Sequence, residues 1–127
     1  MEANIAKAVK RITGVSGLLL DEEVLERKAG IWIDEPIQAQ AIIRPRNTKQ
    51  ISKILSLCNK NNLPVVPHGG LTGLSQGAIA KSNEIVISTE YMTKIENIDP
   101  IGRTLTARSG VKLQNIQEAS EAEGMYF

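Results

Sequence analysis

The chain has 127 residues, is 42% hydrophobic and 23% charged, and carries a formal net charge of +1. That length makes one globular domain or part of one, and so even a charge balance argues against nucleic acid or an anionic membrane as partner. One tryptophan, two tyrosines and one phenylalanine (Trp32, Tyr91, Tyr126, Phe127) leave no platform for base stacking, and the single cysteine, Cys58, excludes an internal disulfide and fits a reducing compartment.

Ile5, Val9 and Ile12 recur at helical spacing and predict a helix over 3–12, broken by Gly14 and Gly17. Lys7, Lys10 and Arg11 read as its solvated face. The start lacks an uninterrupted apolar core and is not a secretory signal. No run approaches the roughly 18 apolar residues of a membrane span. The expected setting is the cytoplasm, or the inner face of a membrane through a partner. "LLLDEEVLERKAG" reads as a second helix, with Asp21 as N-cap, Glu22 and Glu23 at the positive end of its dipole, and Gly30 as its stop. That acidic trio is a helix start rather than a metal site. "IWIDEPIQ" reads as a connector.

"AQAIIRP" is a short apolar run ended by Pro45 and predicts a buried strand. A helix follows, capped by Asn47 or Thr48; Asn47 with Gln50 resembles a capping box. Ile51, Ile54, Leu55 and Cys58 form its apolar stripe, which makes Cys58 a core thiol rather than a redox sensor. "LPVVPHG" predicts the next strand. Strand, helix and strand make a βαβ unit with parallel strands, and "EIVIST" over 84–89 is a third strand. "TKIENID" and "RTLTARSG", joined by Pro-Ile-Gly, predict an antiparallel hairpin. "VKLQNIQEASEAEG" predicts a last helix with Leu113, Ile116 and Ala119/Ala122 on one face, stopped by Gly124. The expected fold class is α/β (α+β): a small parallel three-stranded βαβ layer with helices, then the start of an antiparallel second layer. Residues 1–34 are the expected N-terminal helical segment.

The stretch with chemistry is "PVVPHGGLTGLSQGA". It places glycines directly after a strand, where nucleotide phosphates commonly bind. Glycines there allow positive φ and close approach of a ligand to the backbone, successive N–H groups form an anion-binding concavity, and Thr72 and Ser75 add hydroxyls. The Walker A pattern fails for want of a Lys-Ser/Thr. The dinucleotide fingerprint fails because the order is G-G-x-x-G. No helix start follows the loop, so phosphate binding here would be by the loop alone.

These blocks, "PVVPHGGLTGL", "EIVISTEYMTKIENID" and "SGVKLQNIQEASEAEG", resemble the N-terminal FAD-binding region of the FAD-linked oxidases, the fold shared by vanillyl-alcohol oxidase and p-cresol methylhydroxylase. The nearest likeness is to the branch with the glycolate oxidase D subunit, D-lactate dehydrogenases and D-2-hydroxyglutarate dehydrogenase. The resemblance implies an incomplete PCMH-type FAD-binding domain over 35–127. It implies that Pro67, His68, Gly69, Gly70, Leu71, Thr72 and Gly73 line the FAD pyrophosphate, and that Leu74, Ser75, Gln76, Gly77 and Ala78 continue along the cofactor. Gly110 matches the glycine after the second hairpin strand, on the flavin side. Relatives that attach flavin covalently through this loop carry histidine after Gly-Gly; Leu71 stands there, so the FAD is expected to be non-covalent.

The activity the family implies is oxidation of a D-2-hydroxy acid of the glycolate or D-lactate type, hydride passing to the flavin. The family's second glycine segment and its substrate cap, with metal-binding and base histidines, have no counterpart here. His68 is the one histidine and reads as a phosphate donor or turn cap rather than a base. No catalytic or metal-binding residue is therefore expected in this chain, and the hydroxy acid would bind only with a further polypeptide or chain segment. The alternative is a non-catalytic FAD- or nucleotide-binding fragment. The reductase for UDP-N-acetylenolpyruvoylglucosamine shares the architecture but has a loop less like "HGGLTGL".

Overall fold

A computed structural model describes residues 1–127. In chain order the elements are helix α1 (Ala3–Thr13), a 3₁₀ turn (Val15–Gly17), strand β1 (Leu18–Leu19), helix α2 (Glu22–Leu25), β2 (Ala41–Ile43), α3 (Thr48–Lys60), β3 (Val65–His68), β4 (Ile85–Ser88), β5 (Ile95–Asp99), β6 (Thr104–Ala107) and α4 (Leu113–Ala122). Strands β1 to β4 form one sheet in the order β1-β2-β4-β3, and β5 with β6 forms a second. No helix is long and apolar enough to cross a membrane.

The first sheet is apolar on both faces. Strand residues alternate between faces, so Leu18, Ala41, Ile43, Ile85 and Ile87 meet Ile5 and Val9 of α1 and Ile54 and Cys58 of α3. Leu19, Ile42 and Val86 meet Val24, Ala29, Ile37, Ala39 and Ala80 on the other side. This alternation sets Leu18 and Leu19, which lie before the expected N-cap Asp21, in a strand that the sequence reading did not include. Consecutive leucines that serve opposite cores need a strand, and they pair antiparallel to β2 as Leu18↔Ile43 and Leu19↔Ile42. Only Glu22–Leu25 is helical, and Asp21, at φ 48, makes no side-chain cap. The parallel part does hold three strands; β1 adds a fourth at the edge.

β2 and β3 run parallel but do not touch. β4 lies between them, with Ile43↔Ile87 on one side and His68↔Ser88 on the other. Its "IVIS" is buried throughout and suits the central place, whereas Pro67 offers no N–H to a neighbour and keeps β3 at the edge. In α3, Asn47 caps as expected, its Oδ1 accepting from the Gln50 N–H at 3.0 Å. The return bond of a capping box is shifted by one residue: Gln50 Oε1 accepts from the Arg46 N–H, and Gln50 Nε2 donates to the Ile12 carbonyl. The stripe is also rotated. Ile54 and Cys58 are buried and Leu57 touches the core, while Leu55 is 44% exposed.

The second sheet is a hairpin with Asp99↔Thr104 as its last pair. Its connection is the four-residue stretch 100–103, not the expected three-residue turn: the Asp99 carboxylate accepts from the Ile101 and Gly102 N–H groups, and Arg103 takes φ 51. Helix α4 ends as expected at Gly124, at φ 69. Ile116 and Ala119 of its predicted face are half-buried, but Leu113 is 57% exposed and Ala122 is open to solvent.

Candidate functional site

The parallel strands end at one edge of the sheet, and three connections open there: Arg44–Arg46 after β2, the glycine loop after β3, and Thr89–Tyr91 after β4. Such an edge, at the carboxyl ends of parallel strands, is where open α/β sheets take ligands. Between His68 and Ile85 the chain forms neither helix nor strand, so the loop offers its own N–H groups and hydroxyls without a helix dipole.

Those groups are all free. From Gly69 to Ala78 no backbone N–H donates to any atom of the protein, so these donors face solvent. Thr72, Gly73, Leu74, Ser75, Gln76 and Gly77 are exposed, and no hydrogen bond uses the Thr72 or Ser75 hydroxyl. A side chain added at Gly70, Gly73 or Gly77 would meet nothing within 4 Å. The glycines thus keep the space over the loop clear. They do not supply positive φ, as the sequence suggested; Leu71 (φ 57) and Gln76 (φ 58) do, each flanked by residues of negative φ. Leu71 is half-buried and lines a small cavity of about 60 Å³ with His68, Ser88 and Glu90. Pro67 has no N–H and lies exposed on the edge strand.

His68 differs from its neighbours. Its side chain is buried, and Nε2 lies 2.7 Å from the Ala78 carbonyl oxygen. A carbonyl only accepts, so Nε2 carries the proton. Burial pushes the imidazole pKa down, the bond to Ala78 only partly opposing it. Its own carbonyl accepts from the Thr89 N–H at 3.0 Å and from Thr89 Oγ1 at 3.2 Å. The ring therefore closes the loop through Nε2.

Gly110 reaches this edge by packing. A Cβ there would overlap the Thr89 carbonyl and lie 3.0 Å from the Met92 carbonyl oxygen, to which the Gly110 N–H already donates. Thr89 Oγ1 also bonds the Ser109 carbonyl, so this glycine lets the second sheet dock against the turn after β4.

A charged cluster at the same edge was not anticipated. Arg27 grips Glu90 through both guanidinium ends, at 3.0 and 3.2 Å, and Arg44 adds a third contact at 3.2 Å. Burial raises the Glu90 pKa, but Arg27 and then Arg44 outweigh it and hold the carboxyl below its usual range. Tyr91 has Arg44 and Arg46 over its ring, at 4.8 and 4.3 Å from the centroid. The sequence signal was "RPR" after one strand and "EY" after another, with Arg27 supplied from a distant segment. Cys58, by contrast, is a core thiol as expected, its pKa raised by burial.

A family profile described as "FAD binding domain" matches residues 39–127. A probable mitochondrial D-2-hydroxyglutarate dehydrogenase of Oryza sativa subsp. indica is 36% identical over 116 residues, which is 91% of this chain and 21% of that protein. A D-lactate dehydrogenase of Archaeoglobus fulgidus is 37% identical over 86 residues, covering 68% of this chain and 19% of that protein. The chain thus spans only a small part of the length of the curated relatives it matches. Among solved structures, p-cresol methylhydroxylase with substrate bound superposes with a TM-score of 0.73 at 14% identity, over 96% of this chain and 25% of that one. At that identity the likeness is one of fold, and it is the fold the sequence resemblance implied.

Proposed function

The chain belongs to the FAD binding domain family, and from that premise we propose that it is the FAD-binding part of a flavin-dependent oxidoreductase acting on a D-2-hydroxy acid. The observation that carries the proposal is the run of unpartnered N–H groups from Gly69 to Ala78 under a space that Gly70, Gly73 and Gly77 keep open. Free donors in a row fit a diphosphate, and charge-assisted bonds to them contribute roughly 1.5–3 kcal/mol each. Thr72 and Ser75 would add their hydroxyls, and Leu74, Gln76 and Ala78 their N–H groups. Gly110 would hold the second sheet beside the flavin. With Leu71 where covalent relatives carry histidine, the cofactor would be held non-covalently.

Bound FAD would supply two-electron oxidation, and this chain's part is to hold and orient it. The substrate class follows the relatives named for D-2-hydroxyglutarate and D-lactate; glycolate, which has no stereocentre, is the smallest 2-hydroxy acid. The only histidine, His68, is committed to Ala78, which favours a binding part that needs further polypeptide to complete catalysis. Residues 35–127 would be the first part of the PCMH-type domain, with 1–34 as its N-terminal segment. The cytoplasm remains the proposed setting. Titrating the ¹⁵N-labelled chain with FAD tests the proposal. Shifts concentrated in the amides of 69–78 are expected, with weak affinity because the flavin ring would be poorly enclosed. Unmoved loop amides at millimolar FAD overturn it.

A further inference from the structure

We propose that His68 is the positioning residue of the glycine loop: its Nε2–H bond to the Ala78 carbonyl fixes the span across which the free amides face a ligand. The effect on affinity rests on the diphosphate assignment above; the effect on the loop itself does not.

The geometry is that of a clasp. The residues between His68 and Ala78 have no backbone hydrogen bond of their own except the one that Gln76 O accepts from the Ile79 N–H. Ala78 packs against the second core cluster, and the hydrogen bond across the loop comes from one buried ring, 3% exposed, bonded at 2.7 Å to the far end. The near end is fixed in turn. His68 pairs with Ser88 in the sheet, and its carbonyl takes both the N–H and the hydroxyl of Thr89. Closing a flexible segment removes conformational freedom that ligand binding would otherwise have to remove. A glycine-rich segment has the most of that freedom to lose. The role needs a donor at the position of Nε2, and it needs neither a charge nor a proton transfer.

Replacement can separate this from mere filling of space. Glutamine places an amide nitrogen near the position of Nε2, asparagine near that of Nδ1, and phenylalanine fills the volume with no donor. His68→Gln is expected to keep FAD affinity within about twofold of the parent chain. His68→Asn and His68→Phe are expected to weaken it about five- to tenfold, the effect of about one hydrogen bond. In the ligand-free ¹⁵N-labelled chains, amides 69–78 should show lower order parameters in the asparagine and phenylalanine variants and parent-like ones in the glutamine variant. The imidazole of the parent should be the Nε2–H tautomer by its ring ¹⁵N shifts. An Nδ1–H tautomer, equal loop order in all four chains, or a glutamine variant no better than asparagine overturns the proposal. Should phenylalanine prevent folding, the glutamine–asparagine pair still decides. Should FAD move no amide in the parent while the loop loosens as described, the clasp stands and the diphosphate assignment falls.

Discussion

The two sheets are held together by different means. Every residue of the two apolar clusters lies between Ile5 and Ile87, and beyond Ser88 only Met92 and Ser120 are buried. The first sheet is apolar on both faces and covered on both. The second is a two-stranded hairpin with one helix, and it exposes Leu113, Tyr126 and Phe127. An isolated hairpin is marginal in water, so the second sheet depends on its contact with the turn after β4.

The contrast is sharpest in the core. Ile54 is fully buried in the first cluster, and Ile54→Ala is expected to destabilise the chain by about 2–5 kcal/mol. Leu113→Ala in α4 should stay within about 0.5 kcal/mol. Urea unfolding measures both, and equal costs would abolish the distinction between the sheets. Gly110→Ala is the next largest effect. Its new methyl overlaps the Thr89 carbonyl, a backbone neighbour that cannot swing aside, and overpacking of this kind costs about 1–3 kcal/mol. Hydrogen exchange should show the loss falling on β5 and β6 while β2 and β4 keep their protection; uniform loss would mean that the sheets open as one.

Gly70→Val probes the same edge with the opposite outcome. The space at Gly70 is open and its φ is not positive. Stability should therefore change by no more than about 0.5 kcal/mol, while FAD affinity falls at least about tenfold because the side chain fills the ligand's space. Parent-like binding by this variant would move the ligand elsewhere.

Local chemistry was legible in the sequence, and partnerships across distance were not. The Asn47 cap, the buried strands "AII" and "IVIS" and the Gly124 stop are each written within a few residues. The strand at Leu18–Leu19 was hidden because two residues carry no period of their own, and its deciding partner, Ile42–Ile43, lies far along the chain. Pro67 could have placed β3 at the edge, since a missing N–H is a local fact. The His68 clasp and the Arg27–Glu90–Arg44 cluster could not be seen, because each joins residues that only the fold brings together. The glycine loop does follow a strand, but left-handed backbone there falls to Leu71 and Gln76 rather than to its glycines.

The smallest effect should appear on acidification, and it belongs to the first sheet's edge. The His68 pKa is lowered from 6.5, chiefly by burial. As pH falls below that value the unfolded chain takes up a proton that the folded chain resists, so stability is full above it and declines beneath it. Glu90 is also lowered, from 4.5: burial opposes the shift, and Arg27 with Arg44 produces it. Its contribution is present above that value and is lost as pH falls through the folded-state pKa. Both groups weaken the fold in acid, but in separate windows, and substitution separates them. His68→Gln should flatten the upper limb of a stability–pH curve and leave the lower one, whereas Glu90→Gln should do the reverse at some cost in stability near neutrality. If the glutamine variant at 68 keeps the full decline just below pH 6.5, the imidazole is not held neutral by its burial, and the clasp would have to be reconsidered as a charged contact.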